Sequence, residues 1–311
     1  MNAASAPGKI ILFGEHAVVY GRPALAVPVM QVRATVEITP SDIHGIWIEA
    51  PEIRLKAPLV ELPFNHPLVT AIRTFFSGAG VHKYPNLNIR IVSTIPVASG
   101  LGSGAAVSVA LFRALASYLD RSVDDVTVNR FAYEMEKVYH GTPSGIDNTV
   151  ITYSRPVYFV RGRPIETFKP RVPFTIVIGD TGVAAPTKES VADVHRLWEN
   201  DRPRWEGIFT QVGQIVDEAR HAIEYGRIKE LGELMDQNHI LLQQMTVSSP
   251  ELDTLVLAAR AAGALGAKLS GGGRGGNMIA LADPAATASA LNLEDCLLRA
   301  GARRVISARV R

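Results

Sequence analysis

The sequence predicts a mixed α/β (α+β) chain of two domains, 1–170 and 171–311. Three observations carry this. The chain has 311 residues, against roughly 100–200 for one typical domain. Its apolar spacing switches between strand and helix periods in both halves. Pro164, Pro170 and Pro173 cluster between the periodic segments, and proline ends regular structure by fixing φ and removing an N–H donor.

The first half opens with strands. Lys9–Phe13 and Leu25–Ile38 are apolar and rich in β-branched residues, while Ile46–Glu49 and Leu87–Val92 alternate apolar and polar side chains, as half-buried strands do. The period then changes. Ala105–Leu119 places Val109, Phe112 and Leu115 at helical spacing. Val123–Tyr139 reads as a second helix, with Ser122 as its N-cap, Asp125 three residues later and Gly141 past its end.

After Pro170 a strand is expected over Phe174–Gly179. Helical patterns follow at Lys188–Trp198, Trp205–Tyr225, Arg227–Met245 and Pro250–Ala262. The last starts Ser249-Pro250-Glu251, a capping serine, a proline in the first turn and a carboxylate that suits the helix dipole. Strands at Ala267–Ser270 and Asn277–Ala282 flank a glycine loop, and a helix from Pro284 and a strand at Val305–Val310 finish the chain.

Bulk composition excludes several functions. Hydrophobic residues make up 47% and charged residues 20%, the balance of a globular protein. Thirty-two basic against thirty acidic side chains leave a net charge of +2, which does not suit a nucleic-acid binder. The single cysteine, Cys296, cannot form an internal disulfide or a paired-cysteine metal site. No H-E-x-x-H pattern occurs. The first residues lack a basic region followed by an apolar run, and no stretch reaches the ~18 apolar residues of a membrane helix. A cytoplasmic protein without a membrane partner is expected.

Chemistry concentrates in four segments. Pro96-Val97-Ala98-Ser99-Gly100-Leu101-Gly102-Ser103-Gly104-Ala105-Ala106 lies between a strand and a helix. Its glycines permit close backbone approach, and the helix start offers unpaired N–H groups, together an anion site suited to phosphates. It is neither the Walker A pattern nor the G-x-G-x-x-G fingerprint. A tight turn that merely starts a helix is the plainer reading.

In Pro7–Gly21 a lysine, Lys9, opens an apolar strand that runs into a Gly14-Glu15-His16 turn. Lys9 can stabilise a developing negative oxygen, or it can be a solvated edge residue. Glu15 and His16 can grip hydroxyls or a carboxylate. In Glu136–Asn148, Glu136 ends a helix and Asp147 follows a Pro-Ser-Gly turn. One carboxylate can hold Mg²⁺ and the other can position an attacking hydroxyl or accept its proton; a helix-end glutamate and a turn aspartate are the alternative. Lys268–Asn277 has five glycines in the six residues 271–276. It is either a backbone approach to substrate or phosphate or a mobile hairpin loop.

Taken in this order, the four segments resemble the GHMP kinase family, whose members phosphorylate galactose, homoserine, mevalonate and phosphomevalonate. The likeness runs from Lys9 to at least Ala282. Within the family, P-G-K-I-I-L-F-G-E-H-A-V-V-Y-G, H-G-T-P-S-G-I-D-N and D-T-G-V-A-A-P-T-K-E-S-V (Asp180–Val191) are similar to members that act on mevalonate. The resemblance implies an N-terminal α/β domain and a C-terminal ferredoxin-like α/β domain. It implies ATP and mevalonate as ligands and Mg²⁺ as the metal. Phosphate passes to the 5-hydroxyl, giving 5-phosphomevalonate and ADP on the route to isoprenoids. A homodimer is left open.

By motif, the resemblance makes Asp147 the catalytic base and Lys9 its partner at the reacting oxygen. It gives the metal to Glu136, wraps the ATP phosphates in Pro96–Gly104, and lines the substrate pocket with Lys9, Glu15, His16, Asp147 and Thr187. Two departures stand out. The family loop reads G-L-G-S-S-A, with the second serine on Mg²⁺; here that place is Gly104, which leaves Ser103, water or phosphate to fill the coordination site. The late loop reads G-A-G-G-G-G in the family and G-G-G-R-G-G here, so Arg274 either faces solvent or meets a phosphate. Another GHMP substrate (phosphomevalonate, homoserine or a sugar) and a non-catalytic ligand-sensing relative are the alternative functions.

Overall fold

The structure is a computed structural model. It describes every residue except Met1, Val97, Ala98, Gly141, Thr142, Ile165 and Pro186, and leaves the side chains of Tyr139 and His140 undescribed. Val97 and Ala98 of the expected phosphate loop, and Gly141 of the expected helix end, therefore lie outside the described residues. By internal contacts the chain divides into two compact units. One comprises Met1–Gly8, Val32–Val97 and Gly102–Ser154; the other comprises Lys9–Gln31, Ala98–Leu101 and Arg155–Arg311.

Strands β1 (Asn2–Phe13) and β2 (Ala24–Pro40) contribute to both units. The first unit adds β3 (Ile46–Ala50), β4 (Leu55–Pro58), α1 (Pro67–Gly78), β5 (Leu87–Ser93), α2 (Ser103–Tyr118), α3 (Asp125–His140) and α4 (Ile146–Tyr153). β2 pairs antiparallel with β5 through Val36 and Ile91, β5 pairs parallel with β3 through Ile89 and Ile48, and β4 closes that edge antiparallel to β3. The alternation read in the sequence is the reason: Leu87, Ile89 and Ile91 are buried while Asn88 and Arg90 face out.

Helix α2 forms the centre of this unit's core. It contacts α1, α3 and α4, and Val109, Ala110, Leu111, Phe112 and Leu115 are fully buried. Phe112 packs against Phe131 of α3 with tilted rings 5.0 Å apart and stacks with Phe75 of α1 at 6.2 Å, and burial of a large apolar ring stabilises by about 1.5–3 kcal/mol. Arg113 ties the three helices further, donating to Asp125 at 2.8 Å and to the Thr152 carbonyl at 2.6 Å.

The sequence placed these helices but missed some boundaries. α3 begins at Asp125, not Val123, because Asp124 caps it: its carboxylate accepts from the Thr127 N–H at 2.8 Å, the job expected of Ser122. α1 went unrecognised because its cap is a histidine, with His66 accepting from the Leu68 N–H ahead of Pro67 at the first helical position. α4 is only eight residues long and its Pro-Ser-Gly entry reads as a turn.

The second unit adds β6 (Val157–Phe159), β7 (Glu166–Thr167), β8 (Phe174–Asp180), α5 (Thr187–Asn200), α6 (Arg202–Tyr225), α7 (Ile228–Gln244), α8 (Pro250–Ala261), β9 (Gly266–Ser270), β10 (Asn277–Leu281), α9 (Ser289–Arg299) and β11 (Arg304–Val310). Its main sheet has the order β11-β8-β10-β9, antiparallel throughout, with Ile178 of β8 opposite both Ile279 and Ile306. That order is the ferredoxin-like arrangement, with four helices inserted between its first two strands. α7 and α8 contact β9, and α9 contacts β8 and β11. The Ser249 hydroxyl caps α8 as expected, accepting from Leu252 N–H at 3.4 Å. α9 begins at Ser289 rather than Pro284, since 284–288 form turns. Cys296 is a free, half-buried thiol that donates to the Ala258 carbonyl at 3.3 Å. No helix among the described residues is long and apolar enough to cross a membrane.

Candidate active site

Strand β1 ends in a turn that only glycine permits. Gly14 has φ +96°, and a Cβ there would lie 2.5 Å from the backbone of Ala24. The strand and this turn carry three ionisable side chains into the interior: Lys9 of β1 is 4% exposed, and Glu15 and His16 of the turn 1% and 5%. Burial overturns the reading of Lys9 as a solvated edge residue, since a buried ammonium is costly to keep without compensating charge or hydrogen bonds. The Lys9 backbone N–H donates to the Leu101 carbonyl at 3.0 Å, joining the strand to the glycine–serine loop.

Glu15 accepts a hydrogen bond from Nζ of Lys268, a fully buried residue of β9. Burial pulls the Lys268 pKa down and the Glu15 charge pushes it back up. His16 Nε2 lies 3.1 Å from the Gly272 carbonyl oxygen. A carbonyl only accepts, so Nε2 carries the proton and Nδ1 is a bare acceptor. Burial, then the Arg274 charge, hold the His16 pKa near about 4 against the upward pull of the Gly272 bond, so the ring is neutral at pH 7.

The late glycine loop is tied down at several points. Ser270 Oγ donates to the Ile11 carbonyl at 2.7 Å. Gly272 lies so close to Thr187, the first residue of α5, that a Cβ there would be 2.7 Å from the threonine Oγ1. The Asn277 side chain donates to the Ser99 carbonyl. The half-buried guanidinium of Arg274 pairs with Asp193 of α5, and the Arg274 backbone N–H donates to the Val247 carbonyl at 2.8 Å. The unit thus gathers Lys9, Glu15, His16, Thr187, Ser99, Gly100 and Leu101 with the late loop.

The other unit holds Ser103, Gly104, Glu136 and Asp147, with Pro96 and Gly102. Gly102, with φ +75°, precedes α2 and has no side chain with which to cap that helix. A helix start of this kind suits an anion through its first N–H groups and dipole. Gly104 contributes its carbonyl, which accepts from Ser108 Oγ at 3.0 Å. Glu136 lies on α3 and is 3% exposed. Asp147 occupies the first turn of α4, where the helix dipole favours a carboxylate. α4 is tied to α3 by Asn148, which donates to the Asn129 side chain at 2.6 Å, and Thr149 Oγ1 donates to the Gly145 carbonyl at 2.6 Å within the first turn of α4 itself. α2, α3 and α4 contact one another pairwise.

Sequence reasoning passed over Lys268, Asn277 and His239. The signal for Lys268 was a charge inside the apolar run Ala267–Leu269 of an expected strand. His239 of α7 accepts from the Leu269 N–H at 3.3 Å through Nδ1 and meets Asp253 through Nε2 at 3.2 Å. Burial holds its pKa near about 4 despite the nearby Asp253 charge.

Comparison with known proteins identifies the family. The GHMP kinases N terminal domain matches residues 66–155, and the GHMP kinases C terminal domain matches 219–292. A mevalonate kinase of Pyrococcus abyssi is 38% identical over 299 residues, covering 90% of this chain and 88% of its own. A mevalonate kinase of Pyrococcus horikoshii is 38% identical over 302 residues with the same coverage. The crystal structure of L. major mevalonate kinase in complex with R-mevalonate superposes with a TM-score of 0.86 at 30% identity, covering 100% of this chain and 96% of that one. The chain belongs to the GHMP kinase family and, within it, stands with the mevalonate kinases.

Proposed function

We propose that this protein transfers the γ-phosphoryl group of ATP to the 5-hydroxyl of mevalonate, giving 5-phosphomevalonate and ADP for isoprenoid synthesis. The observation that carries this reading is the 38% identity to mevalonate kinases across 90% of the chain, with Lys9, Glu136 and Asp147 all present in family order. We assign the ATP loop and catalytic residues to 1–170 and the second family domain to 171–311. ATP and a small hydroxy acid are water-soluble metabolites, and we assign the reaction to the cytoplasm.

Phosphoryl transfer asks for positioning and charge stabilisation more than covalent chemistry. In this reading Asp147 orients the primary hydroxyl and accepts its proton, while Lys9 stabilises charge on the reacting oxygen. Pro96–Gly104 cradle the phosphates through backbone N–H groups and the open start of α2. Glu15, His16 and Thr187 line the alcohol site.

The donor set fits Mg²⁺. No cluster of three or more His, Cys, Asp or Glu side chains suited to a metal occurs among the described residues, so a dedicated protein cage is not on offer. Glu136 and Ser103 offer oxygen only, which suits an ion that keeps waters and takes phosphate oxygens as ligands. Glu136 and Ser103 would hold it, and when bound it neutralises charge on the phosphates. Gly104 lacks the hydroxyl of its family counterpart, so the protein's share of the shell rests on those two side chains.

The test is ADP release from purified protein with Mg-ATP and each of mevalonate, phosphomevalonate, homoserine and galactose. Turnover dependent on mevalonate is expected; turnover with another alcohol only would contradict the substrate assignment.

A further inference from the structure

Lys268 is a charged side chain with no exposed surface, placed in the middle of β9. Its Nζ donates to one oxygen of Glu15, Oε1, and to the Leu269 carbonyl at 2.7 Å, and lies 5.8 Å from the centre of the Phe13 ring. The other Glu15 oxygen, Oε2, is buried and has no partner among the described residues, and so is Nδ1 of His16. These two atoms sit on adjacent residues of one turn. Both are acceptors: one is a carboxylate oxygen, and the other is the bare nitrogen of a neutral imidazole whose proton is on Nε2.

The charge balance decides what such a pair can bind. Lys268 and Glu15 cancel, so the ammonium is not available to clamp a ligand carboxylate. A buried acceptor with unused lone pairs matches a ligand donor, which in an alcohol substrate is a hydroxyl with one proton to give. Leaving it unmatched would cost the desolvation of that group. The hydroxyl that reacts is assigned above to Asp147, which leaves the second hydroxyl of mevalonate, on carbon 3.

We propose, on the kinase reading above, that Lys268 is a positioning residue: by holding Oε1 of Glu15 it leaves Oε2 to accept the single proton of the non-reacting 3-hydroxyl of the substrate. Lys268 touches no substrate in this account. It acts by fixing which carboxylate oxygen is spoken for and which is free to select the alcohol. A charge-assisted hydrogen bond to the 3-hydroxyl should be worth roughly ten- to a hundredfold in kcat/KM.

The test compares mevalonate with 5-hydroxy-3-methylpentanoate, which lacks only the 3-hydroxyl, in wild type and in Lys268→Met. Wild type should favour mevalonate by roughly ten- to a hundredfold. Lys268→Met should lose turnover with mevalonate and little with the deoxy compound, bringing the ratio toward one, while the KM for ATP stays put. A purely structural role would lower both substrates together and leave the ratio intact, which would overturn the proposal. If Lys268→Met does not fold, Glu15→Gln with Lys268→Met buries no net charge and is measured instead; an unchanged ratio there has the same meaning. Wild-type turnover of mevalonate with an unchanged ratio in the variant removes this proposal alone. Absence of wild-type turnover with mevalonate removes the kinase reading and this proposal together.

Discussion

His16 Nε2 and the Gly272 carbonyl oxygen stand 3.1 Å apart, joining residues 256 positions apart in the chain. The bond fixes the imidazole tautomer and brings the turn after β1 to the late glycine loop. His239 is fixed in a comparable way, by the Leu269 N–H on one nitrogen and Asp253 on the other. Both rings are buried and neutral at pH 7.

The two histidines make stability depend on acid. Burial, the leading cause for each, lowers both pKa values from 6.5 to about 4. Between these values the unfolded chain binds protons that the folded chain refuses. Stability is therefore full above pH 6.5 and falls as the pH drops toward 4, by up to about 1.4 kcal/mol per pH unit for each histidine. Urea midpoints measured from pH 7 to pH 4 should show this slope, and His239→Asn should flatten it. Equal slopes in wild type and His239→Asn would contradict the role of burial.

Two glycines in helices should respond oppositely to alanine. A Cβ on Gly232 of α7 would lie 2.2 Å from the Leu265 carbonyl oxygen, where the helix meets the start of β9. Gly232→Ala should destabilise by about 1–3 kcal/mol or more, as overpacking does. Gly207 of α6 has nothing within 4 Å of its Cβ position, and Gly207→Ala should gain about 0.5–1 kcal/mol through helix propensity. Thermal unfolding of the two variants measures both.

Arg274 departs from the family's glycine and has φ +57°, a conformation glycine adopts without strain. Replacing it removes the Asp193 pair whichever residue follows. Arg274→Gly should therefore be more stable than Arg274→Ala by about 1 kcal/mol. Because its charge is already taken by Asp193, neither variant should change the KM for ATP. A raised ATP KM in both would place the guanidinium on a phosphate instead.

How far the sequence could be read depended on how local each signal was. The helices from α5 to α8 and the strands β8 to β11 follow from apolar period and from caps such as Ser249. The glycine–serine segment and the Lys9, Glu136 and Asp147 positions are legible as motifs. The Glu15–Lys268 pair was not, because its partners are 253 residues apart and no local pattern marks a strand lysine as an internal counter-ion. The burial of Lys9 was missed for the same reason: periodicity marks which residues share a face, not which polar group the fold carries inside. Arg274 was visible as an anomaly, but its partner on α5 needed three dimensions.

Asp147→Ala and Lys9→Ala test the assigned chemistry. Removing one preorganised electrostatic group lowers turnover by about 10²–10³ in comparable sites. Each variant should lose at least that much in kcat while circular dichroism shows the fold retained. Near-wild-type kcat in Asp147→Ala would end its assignment as the group that handles the hydroxyl proton.

The most direct measurement is the phosphorus NMR spectrum of the product made from Mg-ATP and mevalonate. A phosphate on the primary 5-oxygen couples to the two protons of the attached methylene and appears as a triplet in the proton-coupled spectrum, which is the expected result. A phosphate on the tertiary 3-oxygen has no proton on the attached carbon and appears unsplit. That result, or the absence of any phosphorylated mevalonate, would contradict the account.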